Sequence, residues 1–158
     1  MMRLVKQPDH WRMGPPLCAG LSFTHYKGFE VAPSLGELKK VYESEFPELV
    51  QLGIHVMVSQ NGLGELTIGD SHEYGLNLSP FDRDDVNQLI LNYLKRFAQF
   101  KDWQIGSTWH GIYPKMTDGA TEFIHPVDEV VTIVNGLGGN GMTLSFGLGE
   151  EVVHAMDF

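Results

Sequence analysis

The sequence predicts an α+β fold, a largely antiparallel sheet with helices packed on it. Three observations carry that prediction. Two β-rich runs, residues 54–59 (IHVMVS) and 65–71 (ELTIGDS), are joined by the short turn Gln60-Asn61-Gly62-Leu63-Gly64, which is a hairpin signature. Residues 82–100 repeat apolar side chains at helical spacing. Strand patterns then follow one another without intervening helices, which a doubly wound parallel sheet does not allow.

The elements read in order as follows. Residues 17–26 (LCAGLSFTHY) alternate loosely and run up to Gly28, as a strand does. Ser34 begins a helix: Ser34-x-x-Glu37 has capping-box form, and Leu35, Leu38, Val41 and Tyr42 recur at helical spacing up to Pro47. The hairpin follows. The helix at 82–100 carries Val86, Leu89, Ile90, Tyr93, Leu94 and Phe97 on one face and acidic residues at its start, where they oppose the helix dipole. Residues 105–115, 121–125 and 130–135 read as three strands, and 141–156 as the last helix. The order is β-α-β-β-α-β-β-β-α within one domain, residues 1–158, with no repeats, linkers or low-complexity tracts.

Composition narrows the partners. The chain of 158 residues is 42% hydrophobic and 20% charged, an ordinary soluble profile. A net charge of −9 with no offsetting Lys/Arg cluster argues against nucleic acid and against anionic membrane surfaces. Cys18 is the single cysteine, so no intramolecular disulfide or thiolate metal cluster forms. No apolar run reaches the roughly 20 residues of a membrane span, no secretory signal pattern opens the chain, and a cytoplasmic location is expected. The start, MMRLVKQPDHWRMGPPLCAG, has no polar lead-in or helix cap and reads as a chain entering in mid-sheet, which points to a fragment.

Residues 130–149 read VVTIVNGLGGNGMTLSFGLG, and Gly136, Gly138 and Gly141 fall on G-x-G-x-x-G spacing after a β-branched run that reads as a buried strand. A dinucleotide fingerprint also requires a second strand and an acidic ribose ligand about 20 residues on. Only 17 residues follow Gly141, so an ordinary Rossmann unit is not expected. Glycines between a strand and a helix N-terminus expose backbone N–H groups beside a partial positive charge, which suits an anion or the pyrimidine edge of a flavin. They equally suit a tight strand-to-helix turn and nothing more.

Three segments in order, IHVMVSQNGLGELTIGDSHEYG, STWHGIYPKMTDG and GLGGNGMTLSFGLGEEVV, resemble the substrate-domain half of FAD-dependent oxidoreductases of the D-amino acid oxidase, glycine oxidase and sarcosine oxidase type. The resemblance covers essentially the whole chain. It implies the substrate-domain half of a two-domain flavoenzyme that oxidises a small amine, amino acid or aminophosphonate by hydride transfer to FAD. It further implies a separate FAD-binding Rossmann-type domain, expected upstream of Met1 or on another chain, and only weak FAD binding by this chain alone. Gly138, Gly139, Asn140, Gly141, Met142 and Thr143 would form the loop facing the flavin. Relatives that bind an α-carboxylate usually carry an arginine where this sequence has Tyr113 in WHGIYP. Tyr113 would offer one hydrogen bond instead, with Lys115 on the same strand face supplying charge. The intact GDSHEYG and WHGIYPK motifs suggest the subgroup associated with aminophosphonates.

The resemblance places the hairpin, with His55 and Met57 on one strand face, in the wall of the substrate pocket. A half-buried histidine in an antiparallel sheet reads the same way. His110, beside Trp109, is a further candidate substrate contact or a surface residue. In Ser71-His72-Glu73 the adjacent His72 and Glu73 diverge, so no metal site is predicted. Glu150 and Glu151 read as a solvated helix face. No catalytic triad or paired carboxylate stands out, and no catalytic side chain is assigned. Two other readings stay open: a non-catalytic domain binding a small molecule or protein partner, and an enzyme completed in trans by a separate FAD-binding chain. An exposed apolar face where the missing domain would dock is expected to favour self-association.

Overall fold

The computed structural model describes residues 1–156, which divide into two compact units, Met1–His110 and a second that begins at Gly111. The fold is α+β, with every strand pair antiparallel among the described residues.

The first unit is built on a five-stranded sheet ordered β2-β3-β4-β1-β5. Its strands are β1 (Met2–Leu4), β2 (Leu17–Cys18), β3 (Met57–Gln60), β4 (Leu66–Gly69) and β5 (Ile105–Thr108). β3 and β4 form the expected hairpin, in the register Met57↔Gly69 to Gln60↔Leu66. Its turn is organised by Asn61, whose Oδ1 accepts from the amides of Leu63 and Glu65, both at 3.0 Å, while Gly64 takes a left-handed φ of +88°. β1 lies between β4 and β5, with Met2 and Leu4 fully buried and Arg3 turned outward to Glu65. Sequence reading missed this strand because three residues are too few to show a period.

Helices α1 (Leu21–His25), α2 (Leu35–Glu45), α3 (Pro47–Gln51) and α4 (Asp84–Leu94) complete the unit. α4 buries Val86, Ile90, Leu91 and Leu94 against Met2, Leu4, Leu66 and Ile68 of the sheet in one core. Leu89 is partly buried there, whereas Phe97, expected on the same face, lies beyond the helix end and is exposed. Gln7 ties the segment after β1 to the chain beyond α4. Its Nε2 donates to the Asp102 carbonyl at 2.8 Å, and its Oε1 accepts from the Lys101 and Asp102 amides at 2.9 and 3.0 Å.

Several expectations are corrected. The strand over 17–26 ends at Cys18, and α1 follows, with Leu21 and Ser22 both buried and the chain closing local backbone bonds, the Phe23 amide to the Gly20 carbonyl at 3.0 Å and the Tyr26 amide to the Ser22 carbonyl at 3.3 Å. The Ser34 capping box does not form: Ser34 has helical φ and ψ and no side-chain cap bond, and the Leu35 amide instead donates to the Ala32 carbonyl. Pro47, read as a helix stop, opens the short α3 after Phe46 leaves helical geometry, a position where its missing N–H costs nothing. The strand expected over 105–115 stops at Thr108.

The second unit holds a two-stranded ribbon, β6 (Phe123–Pro126) and β7 (Thr132–Asn135), and the helix α5 (Gly141–Ala155). The ribbon's loop is closed by Asp128, whose Oδ1 accepts from the Val130 and Val131 amides at 2.9 Å. The run at 130–134 was expected to be buried, yet Val130, Val131, Ile133 and Val134 are exposed. A two-stranded ribbon has too little surface of its own to cover both faces. Glu150 and Glu151 are solvent-exposed.

Candidate functional site

In the second unit the glycine loop joins β7 to α5. Gly136 and Gly138 adopt φ of +86° and +59°, conformations that favour glycine. At Gly136 space also excludes a side chain, since a Cβ would sit 3.0 Å from the Phe123 amide nitrogen and 3.1 Å from Met116 Sδ. The Asn135 Oδ1 accepts from the Gly136 amide at 2.8 Å and fixes the entry to the loop. Gly138–Asn140 form one 3-10 turn, and α5 starts at Gly141 with no side-chain cap from Asn140. The first turn of α5, which includes Met142 and Thr143, therefore carries amide donors and the positive end of a 15-residue helix toward solvent.

Lys115 pairs with Leu137 in an isolated antiparallel bridge, which lays residues 113–115 beside the loop. A Cβ on Gly139 would lie 3.1 Å from the Tyr113 hydroxyl oxygen, and one on Gly138 3.9 Å from its ring. The absence of side chains at these two positions is what lets the phenol approach the backbone. A cleft of about 410 Å³ opens here, lined among others by Tyr113, Val134, Gly138, Gly141, Met142 and Ser145. Its size falls in the range of small-molecule sites. Chemically it offers a phenolic hydroxyl, the Ser145 hydroxyl and helix-end amides against an apolar wall.

The other residues singled out in the sequence lie in the first unit. Met57 is half-buried at the start of β3. His55 precedes that strand and is 1% exposed, more deeply enclosed than a half-buried sheet residue. Its ring stacks on His25 at 4.2 Å between centroids and lies parallel to His72 at 5.2 Å. Burial, and secondarily the charge of His72, push the His55 pKa down to about 4, so the ring is neutral at physiological pH. Asp70 Oδ1 lies 3.1 Å from His55 Nε2 at ion-pair distance without hydrogen-bond alignment, and burial pushes the Asp70 carboxyl upward. His72 and Glu73 do diverge: His72 packs on His25 while Glu73 meets Arg83 at 3.1 Å.

His110 is accessible and its Nδ1 lies 2.6 Å from Asp82 Oδ1, whose second oxygen accepts from the Thr108 hydroxyl at 2.6 Å. These two bonds, His110 first, hold the Asp82 carboxyl below the usual carboxylate range. Sequence reasoning missed Asp82, Asp70 and His25 as partners. Asp82 read only as a helix start, and no spacing links positions 25, 55, 70 and 72.

No helix of the described residues is long and apolar enough to cross a membrane. No curated protein and no solved structure matches the chain. A family model does match, that of the FAD dependent oxidoreductases, over residues 17–155. With the match spanning nearly the whole sequence, the chain belongs to the FAD dependent oxidoreductase family.

Proposed function

We propose that this chain is the substrate-binding and flavin-capping part of an enzyme oxidising a small amine, amino acid or aminophosphonate. One observation carries the reading: Tyr113 and the uncapped N-terminus of α5 line the same cleft. The glycine loop fits the edge of a flavin ring. Gly138 and Gly139 keep the backbone bare of side chains, and nothing lies within 4 Å of where a Cβ on Gly141 would stand. When bound, FAD supplies the hydride acceptor for the amine's carbon–hydrogen bond.

The residues of this chain do the positioning. Gly138, Gly139, Asn140, Gly141, Met142 and Thr143 face the ring, and the dipole of α5 favours negative charge on the pyrimidine edge. Tyr113 donates one hydrogen bond to the substrate's acidic group, and Lys115 adds positive charge from the same segment. Met57, His55 and His110 are the first unit's candidate substrate contacts. The ADP half of the cofactor is held by a Rossmann-type domain outside residues 1–158, contiguous or on a partner chain, in a cytoplasmic enzyme. Exposed apolar side chains support a covered face: Met142 and Phe146 of α5 are 94% and 84% exposed, and β7 presents Ile133 and Val134. Left uncovered, that surface favours self-association.

Titration of the folded chain with lumiflavin, FMN and FAD, read by quenching of ring fluorescence, tests the assignment. Contact through the ring alone gives three similar, weak affinities. Stoichiometric retention of FAD through purification would contradict the half-site, and no binding of any of the three would contradict the flavin-facing loop.

A further inference from the structure

We propose that His25, His55 and His72 form a binding site for a divalent transition-metal ion, supported by the carboxylate of Asp70. One ring nitrogen from each histidine lies within 4.8 Å of the other two. The inference uses the first unit only; it shares His55 with the proposed substrate contacts, and its test reads metal binding rather than flavin binding or turnover.

The backbone brings these side chains together from three places. His25 is the last residue of α1. His55 and Asp70 are locked opposite one another by a reciprocal pair of backbone bonds, 3.2 and 2.9 Å, extending the β3–β4 ladder. The His72 amide donates to the Leu52 carbonyl at 3.1 Å. The rings are stacked within 4.2–5.2 Å, centroid to centroid. Zinc–nitrogen bonds of about 2.0–2.1 Å place tetrahedral ligand atoms about 3.4 Å apart, so binding requires the ring nitrogens to draw together and the stacked rings to turn out of parallel until their in-plane lone pairs meet at the ion.

Several features favour a cation over a purely structural stack. His55 Nδ1 and Asp70 Oδ1 are both buried without a hydrogen-bond partner, an unfavourable state that coordination or the charge of an ion relieves. His72 Nδ1 lies 3.2 Å from the Gly53 carbonyl; with the proton there, its Nε2 presents a lone pair and a fixed ring orientation, as ligand histidines do. Asp70 Oδ2 is 3.9 Å from that Nε2, and its other oxygen is 3.1 Å from His55 Nε2, so a balancing negative charge lies against two of the rings. His25 and His72 are only partly buried and leave a route in. Three imidazoles select zinc, copper, nickel or cobalt over magnesium and calcium, and leave a coordination position for water or a small ligand.

The probe is cobalt(II), titrated into the untagged full chain at neutral pH and followed by its visible absorption, with zinc(II) competing for the same site. The expected result is saturation at one equivalent and displacement by zinc. Asp70→Asn weakens binding by about 10- to 100-fold, as loss of a supporting carboxylate does, and His25→Ala or His72→Ala weakens it further. His10→Ala and His154→Ala, on exposed histidines, leave it unchanged. Circular dichroism establishes that each variant is folded. Should a variant fail to fold, paramagnetic broadening of the His25, His55 and His72 ring resonances in the unaltered chain decides the question. Absence of saturable binding, binding untouched by the double His25→Ala and His72→Ala change, or broadening confined to surface histidines overturns the site.

Discussion

The Tyr113 hydroxyl oxygen lies 3.1 Å from the point that a Cβ on Gly139 would occupy, so a phenol rests against bare backbone. The atom met there is the far end of the Tyr113 side chain rather than backbone, and a shift of a few tenths of an ångström makes room. Gly139→Ala is therefore expected to change stability by no more than about 0.5 kcal/mol. Gly138→Ala, forced into a left-handed φ of +59°, costs about 1–2 kcal/mol. Urea denaturation of the two variants separates close approach from backbone strain, and equal losses would refute the distinction.

Gly141 begins α5 with right-handed helical angles and open space around its Cα. Gly141→Ala should stabilise the chain by about 0.4–1 kcal/mol through the reduced entropy of the unfolded state. If the loop faces a flavin, the same change weakens ring binding. A variant that melts higher but quenches lumiflavin as well as the parent argues that the loop is only a turn.

Tyr113→Phe, made in the complete enzyme, removes one hydrogen bond to substrate. The expected loss in kcat/KM corresponds to about 0.5–1.5 kcal/mol for a neutral acceptor and up to about 3 for a charged one. Flavin content should not change. A fall in flavin binding with kcat/KM preserved would move Tyr113 from the substrate to the cofactor.

Bonds from His110 and Thr108 hold the Asp82 carboxyl below the usual carboxylate range. A carboxylate with a depressed folded pKa stabilises the fold above the unfolded value and loses that contribution as pH falls through the folded one. The affected window therefore lies below about pH 4. NMR titration of the Asp82 carboxyl should move upward in His110→Ala. Both groups are accessible, so the effect on stability is small and weakens with salt.

Ile90 is fully buried where α4 meets the sheet. Ile90→Ala is expected to cost about 2–5 kcal/mol, combining lost transfer energy with the cavity left behind. Val41→Ala on the exposed face of α2 should stay within about 0.5 kcal/mol. Chemical denaturation of the pair tests whether the core is centred on α4.

What the sequence determined by itself is whatever rests on local periodicity or on a turn whose chemistry is written in its residues. The hairpin at Asn61 is legible because the asparagine side chain and a left-handed glycine build that turn regardless of the rest of the chain. α4 and α5 are legible because 11 and 15 residues suffice to show a helical period or a strand-to-helix glycine start. The family resemblance lies at the same level, since motif order survives without coordinates.

Tertiary structure decided the rest. β1 is three residues long and owes its place to hydrogen bonds with β4 and β5, far along the chain. α1 replaces a predicted strand and buries both Leu21 and Ser22, a burial no local pattern records. The closeness of Tyr113 to Gly139 follows from the Lys115–Leu137 bridge across more than twenty residues. The histidine cluster is the clearest case: positions 25, 55 and 72 have no meaningful spacing, and only the β3–β4 ladder and the end of α1 bring their rings together. Long-range pairing sets such contacts, and its free energy depends on distant residues meeting rather than on the identity of neighbours in sequence.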